Sequence, residues 1–158
     1  MAQSRARFDI DGDGRRQLLA WVGPDDDLLV YDRDGDRRIS HRDEIAFVDY
    51  LENAKTDLEG LAWFDQIAQG GNEDGVLDAR DAKWPGFGVW RDANQDGVSD
   101  PGELSMTSEG DGGLSSVNLK SDQIRRDLGP DAKSFGRGEF TKRDADGRTR
   151  PGDLWDTA

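Results

Sequence analysis

Twelve residues, 92–103, constrain this chain more than any other stretch. They place oxygen-bearing side chains at positions 1, 3, 5, 9 and 12, and a glycine at position 6, where the backbone must turn sharply. Positions 1, 3, 5, 9 and 12 are Asp92, Asn94, Asp96, Asp100 and Glu103, and position 6 is Gly97. Like charges this close repel one another by on the order of 1 kcal/mol per pair even in a water-like dielectric. The stretch therefore favours a cation at its centre.

The spacing is that of an EF-hand calcium loop. Calcium takes about six to eight oxygens at roughly 2.3–2.6 Å, so a short loop must offer alternate side chains inward. The backbone carbonyl of Val98 would supply position 7, and Glu103 would close the shell with both oxygens. An Asx-rich turn is the alternative, but turn chemistry needs one or two Asp or Asn residues and not five ligands in register.

Two weaker versions of the pattern precede this loop. The first lacks a carboxylate at position 12, so the acidic run after the Gly23-Pro24 turn is expected to fold back onto it; a solvated hairpin is the alternative. The second has Arg37 at position 6, and either of two adjacent acids closes it. The predicted ligands are Asp9, Asp11, Asp13, Asp25 and Asp26 in the first loop (9–27), and Asp32, Asp34, Asp36, Asp43 and Glu44 in the second (32–44).

In chain order, the third candidate loop spans residues 70–81 and is defined by Gly75 at position 6, and loop 92–103 is the fourth. Its predicted ligands are Asn72, Asp74, Asp78 and Asp81. Position 1 is Gly70, and Asp65 could substitute for it if the loop is longer than usual. The loops begin near residues 9, 32, 70 and 92, and this spacing suggests two pairs of loops. Ile39, at position 8 of its loop, is the apolar residue expected to pair two of them.

The remaining pattern predicts short helices and a few strands. Residues 28–31 and 114–119 are expected as strands, and residues 134–141 and 148–154 as a hairpin. The predicted helices follow Ser40, the capping box of Thr56 and Glu59, residue 103, and residue 121. An Asx turn is expected at residues 144–147. The predicted fold class is α+β: one compact domain, 1–158, of short helices with EF-hand-like loops and a small C-terminal antiparallel hairpin within 114–154.

Composition narrows the functional classes. The chain has 34 acidic and 21 basic residues, a net charge of −13, which disfavours nucleic acid and anionic membranes as partners. It has no cysteine, which excludes disulfides, thiolate zinc and a cysteine nucleophile. No apolar run is long enough to insert in a membrane, and residues 1–8 do not resemble a signal peptide. His41, the single histidine, is expected to be solvated, so no catalytic residue is predicted.

The order of these motifs resembles the calcium-binding self-processing module of FrpC-like RTX proteins. The resemblance rests on the loops at Asp9 and Asp32, on Val89-Trp90-x-Asp92-x-Asn94-Gln95-Asp96-Gly97, and on Phe140-Thr141 with Gly152-Asp153-Leu154. It implies a secreted bacterial chain that folds on meeting calcium outside the cell. In that family the folded module also cleaves an Asp-Pro bond at its N-terminal border. That bond has no counterpart before Phe8, and Asp100-Pro101 is expected to be structural.

The leading prediction is therefore a non-catalytic calcium-binding module of a secreted RTX-type protein, which binds about two to four Ca²⁺ ions and folds as it does so. Its expected partners are calcium and either flanking domains of a larger protein or a separate protein. A calcium-dependent self-cleaving module and a dockerin-like adhesion module are the alternatives.

Overall fold

The computed structural model describes residues 5–18, 21, 23–109, 114–129, 132–134, 136–143 and 148–156, and this part of the chain is mostly β. Its strands are β1 (Arg7–Phe8), β2 (Gln17–Leu18), β3 (Leu28–Tyr31), β4 (Val76–Asp78), β5 (Phe87–Trp90), β6 (Leu104–Met106), β7 (Leu114–Asn118), β8 (Arg126–Gly129), β9 (Ala132–Ser134), β10 (Gly136–Arg143) and β11 (Thr149–Asp156). One α-helix, α1 (Asp57–Asp65), is present among the described residues. Short 3₁₀ turns lie at Arg42–Glu44, Val48–Tyr50, Ile67–Gln69, Trp84–Gly86 and Thr107–Glu109.

The strands form antiparallel sheets. The largest has the order β11-β10-β7-β4, a second has the order β3-β5-β6, and β1-β2 and β8-β9 are two-stranded ribbons. Gly88 lets β5 and β6 approach closely, because a Cβ there would lie 2.7 Å from the carbonyl oxygen of Ser105. The predicted strand at 28–31 and the C-terminal hairpin are observed, the latter as β10 paired with β11.

The predicted α+β class is wrong, because most of the expected helices are absent. Residues after Ser40 form 3₁₀ turns, residues 104–106 form strand β6, and β8 begins where the last helix was expected to end. The stretch at 104–106 pairs with β5 on the side away from β3, and this pairing offers its backbone more hydrogen bonds than an isolated helical turn would. The Asx turn expected at 144–147 lies outside the described residues.

The helix predicted at the capping box is confirmed as α1. The Thr56 hydroxyl accepts from the Glu59 N–H, and the Glu59 carboxylate accepts from the N–H of Lys55. These bonds satisfy backbone donors that the first helical turn leaves free. The helix buries Leu58, Leu61 and Phe64.

Two hydrophobic clusters hold the sheets and loops together. The helix core is made of Phe47, Leu58, Leu61, Phe64, Leu77, Trp84, Phe87, Leu114 and Val117. The loop core is made of Ala6, Phe8, Trp21, Val30, Ile39 and Trp90. In the loop core, the Trp21 ring meets the Trp90 ring edge-on, with centroids 5.4 Å apart. Each acidic loop borders one of these clusters, so loop geometry and core packing are coupled.

Candidate metal centres

Loop 92–103 closes a β-hairpin and does not join two helices. It connects β5 to β6. The Arg91 N–H donates to the Glu103 carbonyl oxygen at 3.0 Å, which extends the hydrogen bonding between the two strands to the ends of the loop. Residues 9–16 of the first acidic loop likewise connect β1 to the antiparallel β2. A calcium-type loop is thus held here by paired strands.

One hydrogen bond recurs in three of the acidic loops. The carboxylate at position 1 accepts from the backbone N–H at position 6. In the first, second and fourth loops the pairs are Asp9 with Gly14 at 2.9 Å, Asp32 with Arg37 at 3.0 Å, and Asp92 with Gly97 at 2.8 Å. This bond folds each loop around its first carboxylate.

Positions 3 and 5 also follow a common scheme, now in all four loops. The oxygen at position 3 accepts from the N–H at position 5, and the oxygen at position 5 accepts from the N–H at position 7. The acceptors are Asp11 and Asp13, Asp34 and Asp36, Asn72 and Asp74, and Asn94 and Asp96. For Asp34 the N–H of Asp36 lowers the pKa, so this carboxyl is held as the anion. Alternate side chains are therefore anchored by their own loop backbone.

A left-handed backbone at positions 4 and 6 makes these bonds possible. Position 6 has φ of 84° at Gly14, 81° at Gly75 and 74° at Gly97. Arg37 adopts the same conformation with φ of 60°, which explains how the second loop tolerates a side chain where glycine was expected.

The first loop brings Asp9, Asp11 and Asp13 together, with one ligand oxygen from each within 4.8 Å of the others. Neither Asp25 nor Asp26 joins this group. The Asp26 carboxylate instead accepts from the Gly23 N–H at 3.0 Å, and Asp25 is exposed.

Gln17, at position 9 of the first loop, was not predicted as a ligand. Its amide nitrogen donates to Asp11 Oδ2 at 2.6 Å, and its own Oε1 is buried without a hydrogen-bond partner. The spacing from Asp9 could have identified this residue.

The second loop gathers Asp32, Asp34 and Asp36 in the same way. Of the two candidate closing acids, the structure places Glu44 at the loop. Its carboxylate is fully buried and accepts from the backbone N–H groups of Ser40 and His41 at 2.8 and 2.9 Å. Burial raises the pKa of Glu44 even though these bonds oppose the shift. Asp43 instead pairs with Arg33 at the surface.

Loop 92–103 is anchored in the loop core. Asp92 is completely buried and also accepts from the Trp21 indole N–H at 2.7 Å. At the other end, Glu103 accepts from the N–H groups of Ala93 and Asp100, at 3.2 and 3.3 Å. The Asp92 and Glu103 carboxylates thus each accept backbone hydrogen bonds, one at either end of the loop.

Between these ends, the amide of Asn94 donates to the carboxylates of Asp96 and Asp100 at 3.2 and 3.1 Å. The carbonyl of Val98, predicted for position 7, accepts from the Asp100 N–H at 3.0 Å. Residues 101–103 form a turn and residues 104–106 form β6, so no helix begins after Asp100-Pro101.

The grouping of the loops differs from the two pairs inferred from their spacing. Loop 92–103 touches both earlier loops: Arg16 donates to the carbonyl oxygen of Gly97 at 2.5 Å, and the Ile39 N–H donates to Ser99 Oγ at 2.9 Å. Ile39 and Ser99 each stand at position 8, so Ile39 does link two loops. The loop at 70–81 instead contains β4, whose Leu77 lies in the helix core.

In that loop, Arg80 engages two predicted ligands. Its guanidinium contacts the carboxylates of Asp78 at 2.7 Å and Asp74 at 2.5 Å. Hydrogen bonds from Arg80 lower the pKa of Asp78. Burial raises the pKa of Asp81, and the negative charge of Asp65 adds to the shift. A cation bound here would have to share Asp74 with Arg80.

Residues 1–155 match the family model of the SPM domain. The chain belongs to the SPM domain family. Iron-regulated protein FrpA of Neisseria meningitidis serogroup C is 33% identical to this SPM domain over 150 residues. The aligned region is 94% of this chain and 13% of FrpA, so the chain spans a small part of that relative's length. The match confirms the resemblance to FrpC-like self-processing modules at the level of the family. No helix in the described part of this SPM domain is long and apolar enough to cross a membrane.

Proposed function

We propose that this chain is a calcium-binding module that folds as its acidic loops take up Ca²⁺. The observation that carries the proposal is the shared arrangement of the loops, in which the oxygens at positions 1, 3 and 5 are fixed by bonds to the loop backbone. In two loops, three carboxylate oxygens lie within 4.8 Å of one another. Hard oxygen ligands in this number and spacing suit Ca²⁺.

Electrostatics supports coupling between ion binding and folding. The loop carboxylates repel one another when no cation is bound, and Asp92 and Glu44 are each completely buried beside a hydrophobic core. An ion that binds the folded loops and not the unfolded chain stabilises the fold by RT ln(1 + [Ca²⁺]/Kd), about 1.4 kcal/mol per site at ten times Kd. At about 1 mM calcium, a site with Kd of about 10⁻⁴ M adds about 1.4 kcal/mol and a site with Kd of about 10⁻³ M adds about 0.4 kcal/mol.

This thermodynamic linkage fits a secreted RTX-type parent protein, which would remain unfolded at low cytosolic calcium and fold outside the cell. The experiment is thermal unfolding, monitored by tryptophan fluorescence. It compares the chain in about 5 mM calcium, which is above a Kd of about 10⁻⁴ to 10⁻³ M, with the chain in excess chelator. We expect a cooperative transition with calcium and none with chelator. Magnesium at the same concentration is the control, since its octahedral preference suits these loops poorly. An identical transition in chelator would contradict the proposal.

Self-processing is the second candidate function, and membership of the SPM domain family favours it. The family resemblance implies cleavage of an Asp-Pro bond at the N-terminal border of the module. The test is a fusion that places Asp-Pro before residue 1, with a matched fusion carrying Asn-Pro. A shorter product that appears only with calcium and only from the Asp-Pro fusion supports the activity. If both fusions stay intact in calcium while the module is folded, the activity is absent.

A further inference from the structure

We propose that Asp11-Gly12 is a site of spontaneous aspartyl isomerisation in the folded chain, and that the loop backbone protects the other described Asp-Gly pairs from the same reaction. The inference goes beyond the proposed function, because it concerns a covalent change in the chain and needs only the folded loops. It adds a modification site to the first acidic loop.

The reaction is a ring closure between an aspartate side chain and the next peptide nitrogen. The backbone nitrogen of Gly12 attacks Cγ of Asp11, and a C–N bond forms. One carboxyl oxygen leaves as water with the amide proton and a second proton from the solvent. Water then adds to either carbonyl of the five-membered succinimide ring, which restores aspartate or leaves isoaspartate. Glycine permits the attack most readily, since no Cβ shields its nitrogen.

Asp-Gly pairs recur in this chain, so the dipeptide alone does not single one out. Two of them, at residues 111–112 and 146–147, lie outside the described residues. Those within the described residues are Asp11-Gly12, Asp13-Gly14, Asp34-Gly35, Asp74-Gly75 and Asp96-Gly97. Because these five share the same reacting groups, differences in their reactivity depend on how the fold holds each pair.

Four of the five glycine nitrogens are engaged by carboxylates elsewhere in the chain. The N–H groups of Gly14, Gly35, Gly75 and Gly97 donate to Asp9, Asp32, Asp65 and Asp92 at 2.9, 2.9, 2.8 and 2.8 Å. Each nitrogen would have to break this bond and rotate before it could attack the neighbouring side chain. A hydrogen bond to a charged acceptor shifts such an equilibrium by about ten- to hundredfold. These four pairs are therefore protected.

Gly12 is the exception. Its N–H has no acceptor within the described part of the chain. Its φ is 72°, and a Cβ added there would meet nothing within 4 Å. Neither a hydrogen bond nor packing against another residue therefore holds this nitrogen away from the Asp11 side chain.

The Asp11 carboxylate is also the most loosely held of the five at one oxygen. In each pair, one aspartate oxygen accepts from the N–H two residues further on. This distance is 3.4 Å for Asp11, but 2.7 Å for Asp13, 3.2 Å for Asp34, 2.9 Å for Asp74 and 2.8 Å for Asp96. The other Asp11 oxygen accepts from the Gln17 amide at 2.6 Å. A donor at this oxygen stabilises the negative charge that it acquires as the ring closes.

Isoaspartate at residue 11 would disable the first loop. It adds one atom to the main chain between positions 3 and 4 and shortens the side chain by one carbon, so the position 3 oxygen no longer faces the N–H of Asp13. An ion in this loop would hold the Asp11 carboxylate and slow the reaction. Since the loop lacks a carboxylate at position 12, we expect it to lose its ion first. Isoaspartate would then accumulate in chains whose first loop has been empty.

The test maps isoaspartate in the folded wild-type chain. The chain would be incubated at neutral pH in heavy-oxygen water and about 1 mM CaCl₂, and then digested with trypsin. Mass spectrometry with fragmentation that distinguishes isoaspartate scores each pair, and the heavy oxygen labels every ring that has opened. We expect Asp11-Gly12 to carry about ten- to hundredfold more isoaspartate than each of the four protected pairs. Equal amounts in the five pairs, or a larger amount at another of them, overturns the inference.

Two controls separate the fold from the local sequence. In the same chain unfolded in urea, all five pairs should react at comparable rates, and a preference for Asp11-Gly12 that persists there overturns the inference. Asp11→Glu keeps the charge but places the carboxyl one carbon too far for a five-membered ring. The isoaspartate and the label at residue 11 should vanish in this variant, and their persistence would refute the assignment.

The outcome is distinguishable from that of the proposed function. If the chain is equally folded in chelator, calcium-coupled folding fails. The same preference for Asp11-Gly12 in that chelator-treated chain would still support this inference, and its loss there would overturn it.

Discussion

Asp92→Asn offers the sharpest separation of ion binding from ordinary packing. Asp92 accepts hydrogen bonds from the N–H groups of Trp21, Gly97 and Asp96, at 2.7, 2.8 and 3.2 Å, and is completely buried. The amide can keep the two bonds to Oδ2, so it loses the acceptor for the third donor. The N–H of Asp96 keeps its bond to Asn94 Oδ1 at 3.1 Å, so the lost hydrogen bond costs about 0.5–1.5 kcal/mol. The substitution also removes the charge that a cation would meet.

The two effects respond differently to calcium. Above Kd, each ion that binds only the folded chain adds about 1.4 kcal/mol to the free energy of unfolding for every tenfold rise in calcium. The slope is the rise in unfolding free energy for each tenfold rise in calcium, measured by urea denaturation at about 1, 3 and 10 mM CaCl₂. We expect Asp92→Asn to lower this slope by about 1.4 kcal/mol, the contribution of one bound ion. The lost hydrogen bond lowers the free energy equally at every calcium concentration.

The control for this prediction is Asp49→Asn, which removes one charge from an exposed side chain outside the acidic loops. It should leave the calcium slope at the wild-type value. If Asp92→Asn also keeps the wild-type slope, the interpretation of residues 92–103 as a calcium site is refuted.

Three further predictions concern the loops and the helix. In urea denaturation, Gly97→Ala should lower the unfolding free energy by more than Gly12→Ala. Both glycines have φ above 70°, but an added Cβ at Gly97 would lie 2.5 Å from a backbone oxygen, whereas Gly12 faces open space. Equal losses would contradict the close packing of loop 92–103. Arg80→Gln should tighten calcium binding by about 1.4- to fivefold by calorimetry, since an exposed ion pair typically contributes about 0.2–1 kcal/mol; unchanged or weaker binding would contradict the competition. Because Arg80 lowers the pKa of Asp78, any loss of stability in this variant should be present above pH 3.8 and vanish as the pH falls through the lowered pKa. Thr56→Ala should cost about 0.5–2 kcal/mol in the same assay by removing the helix cap, and no loss would contradict that role.

The sharp turns of the acidic loops could be inferred from the sequence because the residues that form them are close along the chain. Positions 1, 3, 5 and 6 lie within a few residues, and the loop backbone fixes them with its own N–H groups. The start of α1 was predictable for the same reason, since the Thr56 cap and the residues that follow it are contiguous. The contact of Asp65 with Gly75 was harder to predict, because nine residues separate the carboxylate from the N–H that donates to it.

The flanking elements were mispredicted because they depend on non-local pairing. An EF-hand spacing favours helices on both sides of the loop, but residues 104–106 lie opposite Gly88 and its neighbours and form β6 instead. The apolar residues Ile45 and Val48 fit a helical period, yet the carboxylate of Asp57 in α1 accepts from the N–H groups of Phe47 and Val48 and holds that segment in short turns. Neither contact is visible from local periodicity.

Calcium titration of the chelator-treated chain by calorimetry, with far-UV circular dichroism recorded at each step, tests the central claim most directly. The account predicts saturable uptake of about two to four ions per chain, together with the appearance of a β-rich spectrum. Absence of binding heat, with a spectrum that is the same in chelator and in calcium, would contradict it.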